Sequence, residues 1–193
     1  MIIKLFIGEL NQFNYHVIKN LGSGEVNVYD DHVGGDKELI FYTEPAQVLS
    51  EWVLKDEIKN INGHLCQRAD ISFGGRKWTA WFSLELSTYS DDPYKFGGLP
   101  GLIFQVHDAK KTWDFMLKDF SKIDTLISIN FRNDLNFVKT TKEKLYKKKR
   151  DFQKSFIDIR EASGHNFGIE RRNLQANLEQ YILKDNNWIE LFQ

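Results

Sequence analysis

The sequence predicts an α+β fold: a mainly antiparallel, curved β-sheet, a meander of about eight strands readable as an open half-barrel, with C-terminal helices packed on it. Three observations lead there. Up to about Phe131, runs of β-branched and aromatic residues are separated by Gly, Asn, Asp and Ser clusters every dozen residues or so. Within the clearest runs, apolar residues return at every second position, as a strand with one buried face requires. After Asn136 the repeat changes to that of a helix.

The elements follow in chain order. Weak strands are expected near Phe6, Tyr15 and Val28, and stronger ones at Leu39–Thr43 and Glu51–Ile58. Gly63 to Phe73 alternates, with Leu65, Ala69, Ile71 and Phe73 on one face and His64, Cys66, Arg68 and Asp70 on the other. Gly74-Gly75 makes a hairpin turn into Arg76–Leu86, where Trp78, Ala80, Phe82, Leu84 and Leu86 oppose Lys77, Thr79, Trp81, Ser83 and Glu85. Tyr89 to Gly98, with Asp91-Asp92-Pro93 and Gly97-Gly98, reads as a longer loop. Strands at Leu102–His107, Thr112–Phe120 and Leu126–Phe131 close the β region, with Asp108 to Lys111 turning between the first two.

Leu145, Phe152, Phe156 and Ile159 then share one helical face, with Thr140 or Thr141 as the cap and Gly164 as the stop. The basic run Lys147-Lys148-Lys149-Arg150 lies largely outside that stripe and reads as a solvated face or, less simply, a partner surface. A shorter helix at Arg172–Leu183 and the apolar segment Trp188 to Phe192 complete the chain. With 193 residues and no linker or repeat, one domain over 1–193 is expected, the meander in 1–135 and the helical and extended segment in 136–193.

Residues Trp52 to Leu117 carry a series of ordered motifs. Gly98-Leu99-Pro100-Gly101-Leu102-Ile103 is preceded by Trp52, by Asn62-Gly63-His64-Leu65-Cys66-Gln67-Arg68-Ala69, and by Gly75-Arg76-Lys77-Trp78-Thr79-Ala80-Trp81-Phe82. Pro93-Tyr94-Lys95-Phe96-Gly97 leads into the hexapeptide, and Asp108 and Phe115 follow it. This arrangement resembles the GLPGLI family, named after the hexapeptide. The sequence departs from the family pattern with His64 for tyrosine, Asp92 for glycine, and Trp188 for proline in an Asn-Pro-Ile-Glu-Leu-like ending. The resemblance implies a Gram-negative bacterial protein in the periplasm or cell envelope, and implies no reaction. Members usually begin with a signal peptide. Here Glu9, Asn11 and Gln12 follow the apolar start too soon for one, which leaves a cytoplasmic location open.

Physically the hexapeptide reads as structural: Gly98 and Gly101 permit close backbone approach, Pro100 fixes its own φ, and Leu102 and Ile103 begin a buried strand. The alternative is a loop that lines a binding site. Cys66, Arg76 and Trp78 belong to the same structural set.

Charge and chemistry narrow the functions. With 26 Lys and Arg against 27 Asp and Glu, no global field draws the chain to nucleic acid, and no stretch is apolar for the length a membrane helix needs. One cysteine excludes an internal disulfide. His64 and Cys66 could be two ligands of a metal site completed by His107 or Asp70, but paired ligand motifs are missing, so neither metal nor cofactor is predicted. Cys66 as a nucleophile with His64 or His107 as base is the enzymatic alternative. The preferred reading is a non-enzymatic module that binds a small apolar or peptide ligand, or another envelope protein. Trp81, His64, Arg68, Gln105 and His107 would share the less apolar sheet face, with Tyr94 contributed by the loop. Trp81 is equally explained by a covering helix, and a purely structural accessory is a third reading.

Overall fold

Alternation and turn chemistry decide where the strands run. In a computed structural model, residues 5–6, 15–20, 22–30, 38–46, 51–87, 92–120, 134–184 and 189–191 are described. The strands are β1 (Leu5–Phe6), β2 (Tyr15–Asn20), β3 (Glu25–Asp30), β4 (Glu38–Pro45), β5 (Val53–Ile61), β6 (His64–Phe73), β7 (Arg76–Ser83), β8 (Leu102–Asp108), β9 (Asp114–Leu117) and β10 (Asn136–Lys139). The helices are α1 (Lys142–Lys154), α2 (Phe156–Ala162) and α3 (Arg171–Lys184), with short 3₁₀ turns at Leu84–Leu86 and Gly168–Glu170. The strand expected at Leu126–Phe131, residues Tyr89 to Asp91 and Trp188 lie outside the described residues. The fold is α+β with two open, mostly antiparallel sheets, and the chain divides into two compact units. The expected meander is thus shared between two sheets.

The first unit comprises Met1–Phe13, Ala46–Ile129 and Asn187–Gln193. Its sheet has the order β1-β9-β8-β7-β6-β5, every pairing antiparallel. Gly74 and Gly75 have φ of +57° and +74°, the left-handed pair that a two-residue hairpin needs between Phe73 and Arg76. Ala69, Ile71, Trp78, Ala80, Phe82, Val106 and Phe115 face one side and are buried. Phe96 covers them, its ring 4.7 Å from Trp78 and 6.2 Å from Phe115. The strand expected at Arg76–Leu86 ends at Ser83, whose hydroxyl accepts from Glu85 N and starts the 3₁₀ turn. Leu84 is therefore 56% exposed, and Leu86 packs with Cys66 on the opposite side of the sheet.

The second unit comprises Asn14–Pro45 and Asn130–Asn186. Its sheet has the order β10-β4-β3-β2, with β10 parallel to β4. Asn136 to Lys139, where the helical rhythm was expected to begin, is thus a strand, and the helix starts after the Thr141 cap, whose Oγ accepts from Lys144 N. Leu145 and Tyr146 bury α1, with Tyr146 6.5 Å from Tyr42 of β4, and Lys149 donates to the buried Asp30 at 2.6 Å. Of the expected stripe, Leu145 is buried, while Phe152, Phe156 and Ile159 are 42%, 43% and 42% exposed. Ser155 interrupts the helix between them, and Ile157 takes the buried position instead.

Candidate functional site

The face of the six-stranded sheet opposite Phe96 gathers most of the side chains singled out by sequence. Strand register sets them in two adjacent rows. Arg68 lies opposite Trp81, Trp81 opposite Gln105 and Gln105 opposite Met116; in the next row Asp70 meets Thr79, Thr79 meets His107 and His107 meets Asp114. Directly opposed residues of an antiparallel pair point to the same face, so these eight form one surface.

A hydrogen-bond network fixes it. Arg68 donates to Asp70 through Nε (3.0 Å) and Nη2 (2.9 Å) and to Glu57 through Nη1 (3.2 Å). Thr79 Oγ1 donates to the same Asp70 at 2.8 Å. Burial works against the Asp70 charge, but the bonds from Arg68 and Thr79 outweigh it and hold the carboxyl below its ordinary range. Gln105 donates to both Asp114 oxygens at 2.9 and 3.1 Å and accepts from Lys59 Nζ at 2.9 Å. That ammonium sits 4.1 Å from the centre of the Trp81 ring. Burial lowers the Lys59 pKa, opposed by the nearby Asp114 carboxylate. His107 Nδ1 lies 3.1 Å from the Asp108 carbonyl, so in this bond Nδ1 carries the proton. Beside the rows lies a depression of about 420 Å³, lined by Glu51, Val53, Arg68, Asp70, Lys77 and Thr79 among others.

At its other end the same face is apolar. Cys66, Leu102, Phe104 and Leu117 form a buried cluster, with Ile61, Trp81, Leu86 and Phe120 packed against it. His64 caps this cluster, its ring 5.0 Å from Phe104 and its Nδ1 2.8 Å from Glu85 Oε2. Cys66 is fully buried, and burial pushes its thiol up to about 11, against the pull of Lys59. The Sγ–H points at the His64 carbonyl, 3.6 Å away. His107 belongs to the row of Asp70, four residues further along β6 and about 13 Å of strand from Cys66. Neither a Cys–His dyad nor the metal set of His64, Cys66, His107 and Asp70 is therefore assembled, and among the described residues no three His, Cys, Asp or Glu converge on a metal site.

Tyr94 departs from expectation. It is buried on the other side of the sheet, 6.2 Å from the Phe96 ring, with its hydroxyl donating to Glu190 Oε1 at 2.7 Å. Lys95 Nζ donates to the same oxygen at 2.7 Å, and both charges are buried. Leu191 N bonds to the Gly74 carbonyl at 2.7 Å, and a Cβ on Gly74 would lie 2.7 Å from Glu190 Cγ. The loop and the segment Ile189 to Leu191 thus lock each other in place.

The hexapeptide fits this closure. Gly101 passes so close to β7 that a Cβ there would stand 2.1 Å from the Ser83 carbonyl oxygen, and Gly98 has φ of +88°. Upstream, Asp92 Oδ1 accepts from Ile103 N, and Trp52 Nε1 donates to the Gly97 carbonyl at 2.8 Å. Leu99 and Pro100 bridge the two glycines, and Leu102 and Ile103 are buried at the start of β8. Arg76 forms a buried ion pair with Asp108 at 3.0 Å, and Trp78 Nε1 donates to the Phe73 carbonyl. Lys59 and Glu190 gave no local signal in the sequence: each matters through a partner at least 46 residues away.

No family model matches the chain, and no curated protein matches its sequence. Among solved structures, PNGF-II in its P21 and C2 crystal forms is similar at 16% identity, with TM-scores of 0.51 and 0.52. The likeness covers 67% of this chain and 23% of that one, so this chain matches about a quarter of the length of PNGF-II. At that identity the likeness concerns the fold alone.

Proposed function

We propose that the chain is a GLPGLI-like binding module of the cell envelope whose ligand, a peptide, lies across the rows of Arg68, Trp81 and Gln105 and of Asp70, Thr79 and His107. The observation that carries this reading is the division of the six-stranded sheet into a face sealed by Phe96 and a face left with polar groups and a half-buried tryptophan. The depression has cations in Arg68 and Lys77, carboxylates in Glu51 and Asp70, and an apolar wall at Val53. A peptide backbone, which offers donors and acceptors in alternation, suits such a mixture better than a purely apolar ligand. The envelope location rests on the family resemblance.

A purely structural role is the second reading, favoured by the hexapeptide, whose contacts close the loop and start β8 in the sheet. The enzymatic reading through Cys66 gains no support from a buried thiol held in its neutral form. Native mass spectrometry of protein purified gently from its host tests the proposal. A reproducible extra mass of peptide size, lost in a variant carrying Trp81→Ala and Arg68→Ala, is the expected result. A bare chain, or an extra mass that survives both substitutions, would sink it.

A further inference from the structure

The chain's formal charge of −1 conceals a local excess: residues 142–162 carry eight Lys and Arg against four Asp and Glu. Ser155, with φ of −89° and ψ of 6°, ends α1 and opens α2: its N–H donates to the Asp151 carbonyl and its own carbonyl accepts from Ile159 N. Phe152 at the end of α1 and Phe156 and Ile159 in α2 gather around this junction, and all three are exposed. Within α1, at about 100° per residue, Lys142, Lys144, Lys148 and Lys149 lie within about a quarter-turn of Phe152, with the exposed Asp151 just beyond, and Arg160 of α2 lies beside Phe156.

The other three acids are engaged within the fold. Asp158 and Glu161 are both bonded to Arg171 of α3, at 2.5 and 3.0 Å. Glu143 turns back to the helix start, taking hydrogen bonds from its own backbone N–H and from Thr141. Lys142 and Lys149 are engaged with Glu44 and Asp30, while Lys144 and Lys148 are exposed. Arg160 lays its guanidinium 5.9 Å from the Phe156 ring, the posture of a side chain whose stem covers apolar surface while its charge reaches outward. An apolar patch bordered on both sides by long cationic side chains is the pattern of a helix that lies in a bilayer interface.

We propose that the α1–α2 face bearing Phe152, Phe156 and Ile159 docks on an anionic lipid surface. An acidic protein would satisfy the cations, but an apolar patch with cations on both flanks matches an interface in which acyl chains lie beneath a layer of phosphates.

Co-sedimentation of the full chain with vesicles decides. Binding to phosphatidylcholine vesicles in which one lipid in three is phosphatidylglycerol should exceed binding to pure phosphatidylcholine at least tenfold. The excess should fall away at ~0.5 M salt, where screening is complete within about 5 Å. Phe152→Ser with Phe156→Ser should abolish it, and so should Lys144→Glu with Lys148→Glu, a surface pair that leaves the apolar patch intact and so keeps the test valid if the first variant misfolds. Phe137→Ser, on β10, should leave it unchanged. Equal binding to both vesicles, or retained binding in the Lys144→Glu, Lys148→Glu chain, overturns the assignment. Salt-sensitive binding to polyglutamate without binding to vesicles overturns it too, and gives the face to an acidic protein.

Discussion

The two faces of the six-stranded sheet are built from the same strands, yet they differ in what removing a side chain should do. On one face, Trp78, Phe82, Val106 and Phe115 lie under Phe96 and share almost no contact with solvent. On the other, Arg68, Trp81 and His107 are part-exposed and held by hydrogen bonds and a cation over a ring. Apolar burial contributes stability in proportion to the area it hides, whereas exposed ion pairs contribute little because water already solvates both partners. The sealed face should therefore report on folding and the open face on binding.

Substitutions can break or sharpen that contrast. Gly101→Ala should have the largest effect, because its Cβ would meet the Ser83 backbone and neither strand can yield; a loss of more than about 3 kcal/mol, or failure to fold, is expected in urea unfolding. Phe96→Ala should cost about 3–5 kcal/mol through the cavity left among the aromatic rings. Lys95→Met should fall in the same range of about 3–5 kcal/mol by stranding the Glu190 carboxylate away from water. On the open face, Trp81→Ala should cost only about 1–2 kcal/mol, since the side chain is only partly buried. Arg68→Ala should leave the unfolding midpoint within error while removing ligand. A Trp81 or Arg68 variant as unstable as the Phe96 variant would show that the open face is a second core.

Cys66 marks the boundary between the two behaviours, and its effect should be the smallest near neutrality. Its folded-state value is raised to about 11, above the about 8.5 of an unfolded thiol. The stabilisation it supplies is therefore complete below about pH 8.5 and is lost as pH rises through 11. A Cys66→Ala chain should lack this decline, so the stability difference between the two proteins should narrow across that window. At pH 8, a disulfide reagent should modify the native thiol at least about 100-fold more slowly than the unfolded one. Rapid modification of native protein would return Cys66 to the list of reactive groups.

The strands from Leu39 to Asp108 were legible because alternation, Gly-Gly and Asp-initiated turns are local signals. The Thr141 cap was legible for the same reason, and so was Gly164, which follows α2 with φ of +94°. The alternation of His64, Cys66, Arg68 and Asp70 against Ala69 and Ile71 also separated the two faces correctly. What stayed hidden was non-local. Alternation says that a strand has one buried side, not which sheet owns it, so the split into two sheets could not be read. Parallel pairing of Asn136–Lys139 with β4 joins residues almost a hundred positions apart and leaves no turn signature. Tyr94 was read as a ligand contact because it lies in the Tyr89–Gly98 loop; Glu190, far along the chain, is what draws it inward.

That distance shapes the order in which the first unit can be completed. Lys95 meets its carboxylate 95 residues later, after the whole of segment 130–186, which belongs to the second unit. During synthesis, β5 to β9 emerge first, yet the piece that fixes the loop over them arrives only when the other unit's chain has already been made. Nascent chains stalled before and after residue 190 should therefore differ in protease resistance over residues 64–117, and equal resistance would show that the closing segment adds nothing. If they differ, the unit whose strands are made early is finished late, and translation itself sets the interval in which its aromatic interior stands uncovered.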